Sequence, residues 1–213
     1  MKTIVNLLVI TVLALTTFSQ YSVASAGGVF KFKGEGASAI FSSADASGCL
    51  ITDVYVNADE GTSQNPPGRG SSSSSLALFI SQYDICTGDV LLAADGFTLL
   101  AASDFQVFGS LRSATLHATV TVFDYVSNTP FDVFVYLSWA GHGSVNREKR
   151  HTQFSSPGCK VNSRFDLTFR PAVATGSVSD GSTNYTPEPS LGYDIYKAKS
   201  GDVVIGCNEQ GAK

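Results

Sequence analysis

The chain has 213 residues, of which 14 are basic and 18 acidic, for a net charge of −4. That weakly acidic balance argues against general nucleic-acid binding, and the length fits one domain, or two small ones sharing a core. Four cysteines and three histidines leave few ways to build a metal centre.

The N-terminal segment carries the marks of a targeting signal rather than of fold. Lys2 supplies a positive start, residues 4–18 are mostly apolar and uncharged, and Ala24-Ser25-Ala26 is the small-x-small pattern that a signal peptidase reads. The apolar run is short for a membrane span. Cleavage after Ala26 is expected to leave one domain of 187 residues, 27–213, secreted and monomeric. Lys2 is the only charge removed, so the balance becomes 13 basic against 18 acidic residues, or −5. No later segment is apolar enough to span a bilayer.

From there the sequence reads as β throughout, with two-residue alternation between clusters of Gly, Ser, Asn, Asp and Pro. The clearest strands are 36–43, 50–58, 76–84, 89–94, 113–123, 131–139, 161–170 and 191–198. Weaker ones are 29–33, 104–108 and 202–206. The pattern predicts an all-β, antiparallel β-sandwich, either jelly-roll-like or built from duplicated hairpins. Residues 58–75, ADEGTSQNPPGRGSSSSS, hold little that could bury a face and predict a flexible loop. Two disulfides, Cys49–Cys86 and Cys159–Cys207, are expected from an even cysteine count in an exported chain, and they join neighbouring segments.

A faint repeat aligns residues 36–60 with 115–139 without gaps, matching Ala39 to Ala118, Asp45 to Asp124, Asp53 to Asp132 and Val56 to Val135. A second echo joins YDICTGDVLL (83–92) to YDIYKAKSGDVVI (193–205). Alternation sorts the strand residues by face. Leu50, Thr52, Val54 and Val56 fall on one core side, Ala114 to Val122 on a second, Phe131 to Trp139 on a third. In 161–170 the apolar set Val161, Phe165, Leu167 and Phe169 is assigned to the core, which leaves Arg164 and Arg170 outside. The outer faces mix aromatics with carboxylates and amides. Tyr55 and Tyr136 are candidates there for stacking on a sugar ring.

The one concentration of positive charge lies at 147–170, where six basic residues meet two acidic ones. Arg147, Lys149, Arg150 and His151 belong to the predicted loop GHGSVNREKRH; Arg164 and Arg170 follow on the next strand. Charge asymmetry of this kind can capture an anion. Catalysis finds less support. His142 and Ser144 lack a nucleophile elbow and an orienting acid, and no spacing singles out a glycosidase carboxylate pair. His117, His142 and His151 share no ligand spacing. Asp45, Asp53, Asp59, Glu60 and Asp124 could meet calcium, yet no EF-type loop is present, and turn aspartates usually bond their own backbone. No catalytic residue, metal or other cofactor is assigned. The sequence favours an exported binding or surface module, taking a glycan or another anionic extracellular ligand. A secreted hydrolase of extracellular polymers and a self-assembling surface component are the alternatives.

Overall fold

The computed structural model describes residues 28–64, 70–156 and 159–205. These form ten strands and no helix: β1 (Gly28–Ala44), β2 (Leu50–Gln64), β3 (Ser71–Asp84), β4 (Val90–Leu99), β5 (Phe105–Phe108), β6 (Ser113–Asp124), β7 (Thr129–Gly141), β8 (Asn146–Ser156), β9 (Cys159–Ser179) and β10 (Tyr193–Ile205). The N-terminal segment read as a signal and Cys207 lie outside the described residues. No described helix is long and apolar enough to cross a membrane.

Every pairing is antiparallel. Where the alternation predicts two stacked sheets, the strands form one, in the order β10-β1-β2-β3-β4-β6-β7-β9-β8, with β5 on β6 and a further pairing of β10 with β9. That last pairing closes a circuit of eight strands. The length of β9 makes it possible: residues 172–179 pair with β7, while residues 160–172 pair with β10. A closed circuit removes open edges from the part of the sheet it encloses.

The enclosed space is filled by side chains. Trp139, Phe105, Leu76, Ile80, Leu116, Val54 and Val120 are almost wholly buried. Alanines at 37, 39, 58, 94, 114, 172 and 174 leave room for the large rings. Trp139 reaches across from β7 to β1, where its indole N–H donates to the Ser38 carbonyl at 2.9 Å. The faces expected for β2, β6 and β7 are those observed.

Hairpins β1–β2 and β6–β7 are the two copies of the sequence repeat, and they share one register. Ala39 pairs with Val56 and Ala118 with Val135, both at the same offset. Four strand steps separate the two copies around the circuit, so they stand on opposite walls. The second echo has no such counterpart: residues 83–92 run through a hairpin turn, whereas residues 193–205 form a single strand.

The predicted loop 58–75 is largely strand. Residues 58–64 complete β2 and residues 71–75 open β3, with the serine tract paired to Asp59–Ser63. Serine contributes no apolar face, but it keeps both backbone hydrogen-bonding groups. Extending an existing ladder satisfies them. Ser63 and Ser71 hydroxyls meet at 3.0 Å, and Ser75 donates to Asp59.

Cys49 and Cys86 are bonded as expected, with Cα atoms 5.4 Å apart, tying the β1–β2 turn to the β3–β4 turn. The second expected disulfide would use Cys207. Replacing Cys49 and Cys86 together by serine is expected to cost about 2–4 kcal/mol of unfolding free energy, since the bond spans a long loop of the unfolded chain. Urea titration checks this; the far-ultraviolet circular dichroism should stay that of a β protein.

Candidate functional site

Five strands outrun the core. β1, β2, β8, β9 and β10 continue past the row Ala37–Ile195–Arg170, the last inward row of the circuit on that side. They form an open extension of the sheet together with the start of β3. A strand keeps its two-residue alternation as it leaves the core, so the positions that would line the barrel here carry charge. One row reads Arg147, Thr168, Lys197, Glu35, Glu60. The next reads Lys149, Asp166, Lys199, Lys33, Thr62. The third reads His151, Arg164, Gly201, Lys31, Gln64.

With Lys160 further out on β9 and Arg170 at the base, this face gathers nine of the chain's 14 basic residues against three carboxylates, a surplus of six. Its charges are incompletely paired. Lys197 bonds Glu35 at 2.5 Å. Beside them Glu60 is raised above the usual carboxylate range by burial and by Glu35, with Lys197 acting against the shift. In the next row Lys33 stands directly opposite Lys199, while Asp166 lies between Lys199 and Lys149; in the third, Arg164 stands opposite His151. Among the described residues, the only other ion pair within bonding reach is Arg150 with Glu148. At the foot of the face the buried Nε of Arg170 has no hydrogen-bond partner. A shallow hollow of about 610 Å³ opens beside Lys31, Lys33, Gln64 and Lys199 and wraps around to Phe32 and Ser200 on the reverse face.

Of the residues singled out by sequence, Arg147, Lys149, His151, Arg164 and Arg170 are brought together on this face. The stretch 146–151 is strand rather than loop, because it pairs residue for residue with Arg164–Phe169. That pairing corrects two expectations. Arg150 lies on the reverse face, opposite Phe165 and bonded to Glu148. The charged side of β9, not its apolar side, continues the core face, since Arg170 is in phase with buried Ala172 and Ala174. Lys31, Lys33, Lys197 and Lys199 were not among the expected site residues. Their signal is Lys-x-Lys in both VFKFK and YKAKS, which puts both lysines of each strand on one side.

Tyr55 and Tyr136 do not meet. They sit on β2 and β7, on opposite walls of the circuit. Tyr55 is half-buried, its hydroxyl pushed up to about 12 chiefly by burial, with Tyr193 and Asp59 adding to it. Tyr136 is exposed beside His117, with ring centroids 5.4 Å apart. Each was a candidate for stacking on a sugar ring, and the two stand on separate strands, β2 and β7.

Asp45, Asp53, Asp59 and Asp124, four of the calcium candidates, have partners of their own. Asp45 accepts from Ser47 and the Leu50 amide, Asp53 from Tyr83, Asp59 from Ser75. The closest grouping of potential metal ligands among the described residues is Cys49, Asp84 and Cys86, which is the disulfide beside a turn carboxylate. A second hollow of about 490 Å³ holds Asp132 and Asp180. Asp180 accepts from the amides of Ser182 and Thr183 and from the Tyr185 hydroxyl. These bonds hold it well below the usual carboxylate range against the opposing effect of burial. A carboxyl so held is unsuited to donate a proton as a general acid.

The chain matches no protein-family model, no curated protein and no solved structure.

Asp124 supplies a test of the turn chemistry. It is buried in the β6–β7 turn and accepts from the amides of Ala93, Val126 and Ser127. Burial raises its pKa, and hydrogen bonds from Ser127, Val126 and Ala93 outweigh that and lower it to about 2. A carboxylate depressed on folding stabilises above its unfolded pKa, near 4, and loses that contribution as pH falls toward 2. Asp124→Asn is expected to cost about 2 kcal/mol at neutral pH, with the gap to the parent shrinking between pH 4 and pH 2. Paired urea titrations across that range read it directly.

Proposed function

We propose that the chain is an exported, non-catalytic module that captures an anionic polysaccharide, or a comparable anionic surface outside the cell, on the charged face of the sheet extension. The observation that carries this is the surplus of nine basic residues over three carboxylates on one open face, with Lys33 directly opposite Lys199. Directly opposed like charges weaken a sheet, so their gathering there is a cost that an anionic ligand would offset. The A-x-A signal and the Cys49–Cys86 bond support export, since persistent disulfides belong to oxidising compartments.

An extended polyanion suits the site better than a small ligand. The cations lie in rows across at least four strands rather than around one deep pocket. Strand spacing of about 4.8 Å and same-face spacing of about 6.7 Å along a strand present a grid of charge to a repeating chain. With an overall balance of −5, attraction to this face is local and strongly weakened by salt, the screening length being about 10 Å at 0.1 M.

Retention on a heparin-type column at low ionic strength, and release by moderate salt, is the expected behaviour. Lys149→Ala combined with Lys199→Ala should abolish retention, while Arg150→Ala on the reverse face should leave it unchanged. Flow-through of the parent protein at low salt contradicts the proposal. Lys33→Gln adds a second signature: it should weaken retention and yet raise the stability of the ligand-free protein by a few tenths of a kcal/mol, roughly the size of one relieved cross-strand repulsion. Thermal melts without ligand check that sign.

A further inference from the structure

The outer wall of β6, β7 and β9 carries no acidic residue, lysine or arginine over three rows, and we propose that it binds an uncharged polysaccharide, seated on Phe134 and Tyr136 and entering the hollow beside them. The rows read Thr115–Ser138–Thr175, His117–Tyr136–Ser177 and Thr119–Phe134–Ser179. Phe134 is 40% exposed and Tyr136 52%. Two residues apart on β7, they project from one face about 6.7 Å from each other. Neighbouring rings thus offer consecutive stacking positions to a chain of sugar rings, whose C–H faces are apolar, lying along the strand.

Hydroxyls frame the rings. Thr121, one row further on, donates to Asp132, and Ser179 accepts from the Gly181 amide. Among the described residues, the hydroxyls of Thr119, Ser138, Thr175 and Ser177 bond no protein group. They are free to exchange hydrogen bonds with a sugar. A protein partner suits this wall less well, since serine is depleted from the cores of protein interfaces. On the β5 side Asp104 is already engaged by the Ala101 amide and Ser103.

The hollow selects the ligand's chemistry. It has a volume of about 490 Å³, and Phe134 lines it together with Asp132, Asp180 and Ser182. Its polar groups are set to accept. Asp132 takes the Thr121 hydroxyl on Oδ1 at 2.6 Å, which leaves Oδ2. Ser182 gives its proton to Asp180 Oδ1 at 2.7 Å, which leaves the lone pairs of its own oxygen. A ligand here must donate, as sugar hydroxyls do. Both carboxylates repel a sulfated or carboxylated sugar, so charge sends a polyanion to the extension and an uncharged chain to this wall. Gly181, at φ +91°, turns the chain beside Phe134 without placing a side chain against it; a Cβ there would stand 3.8 Å from the ring. The two binding faces are separate, and neither depends on the other.

The test is affinity electrophoresis of the secreted protein through gels containing hydroxyethylcellulose, xyloglucan or glucomannan. Retardation by at least one is expected. Phe134→Thr and Tyr136→Thr, which keep a residue suited to a strand, should each weaken binding about fivefold to tenfold, the size of one lost stacking contact. Tyr136→Phe, which keeps the ring, should retain it. Phe97→Thr, at an exposed ring outside this wall, should leave binding intact. Circular dichroism and behaviour on heparin should match the parent in every variant, so this inference and the reading of the charged face fail separately. Should a threonine variant not fold, resonance shifts of the parent decide: a hexasaccharide cut from the bound polysaccharide should move Phe134, Tyr136 and Ser182. Free migration in all three gels overturns the inference. So does retardation that survives loss of both rings. Shifts around the hollow with a butylammonium salt, and none with the hexasaccharide, overturn it as well and assign the hollow to a cation.

Discussion

A strand cannot change sides. Side chains alternate with a period of two for as long as the ladder runs without a bulge, and the described register of β1, β2, β9 and β10 is unbroken from the core to the tip of the extension. The rest of this structure depends on that constraint. Strands of 15, 17 and 21 residues are longer than the core they line, so their core-side positions must emerge somewhere into water. On emerging they change chemistry in one step, from Ala37, Ile195 and Ala58 to Glu35, Lys197 and Glu60. On β1 and β9 the opposite side carries aromatics, Phe32, Phe165 and Phe169. A single folding rule thus produces a packed barrel and, continuous with it, a sheet extension whose core-side face is rich in cations.

The barrel end is set by volume. The buried alanines would be a poor core in two flat sheets, where facing residues must meet halfway. In a closed circuit they match Trp139 and Phe105 from the opposite wall, and close packing requires that match. The Trp139 bond to Ser38 joins the two copies of the repeated hairpin, β6–β7 to β1–β2. Asp45 and Asp124 cap equivalent turns in those copies. The duplication read from the sequence therefore has a physical counterpart: two like hairpins, opposed across a core, neither of which would bury its apolar side alone.

Alternation made most of this fold legible. The strands, the inward faces of β2, β6 and β7, the Cys49–Cys86 bond and the turn role of Asp45 could be read from local pattern. What could not be read was how far a ladder extends once begun. The serine tract and the charged run 146–151 have no apolar signal, yet backbone pairing carries both into strands. Face assignment on β9 failed for a related reason. Val161, Phe165, Leu167 and Phe169 look like a core stripe, but the phase of the strand is fixed by Ala172 and Ala174 further along, where the circuit closes. The site was half legible. Arg147, Lys149 and Arg164 are close in sequence, whereas Lys31 and Lys199 meet them only because β10 pairs with both β1 and β9.

That pairing is what the central claim rests on: lysines from both ends of the chain and arginines from its middle form one binding surface. Nuclear magnetic resonance of the labelled protein, titrated with a sulfated oligosaccharide, tests it most directly. The account expects shifts at Lys33, Lys149, Arg164 and Lys199 that follow one binding curve, with Arg150 and the walls around Tyr55 and Tyr136 silent. Shifts centred on Tyr55 or Tyr136, or shifts at Arg150 equal to those at Lys149, would contradict it.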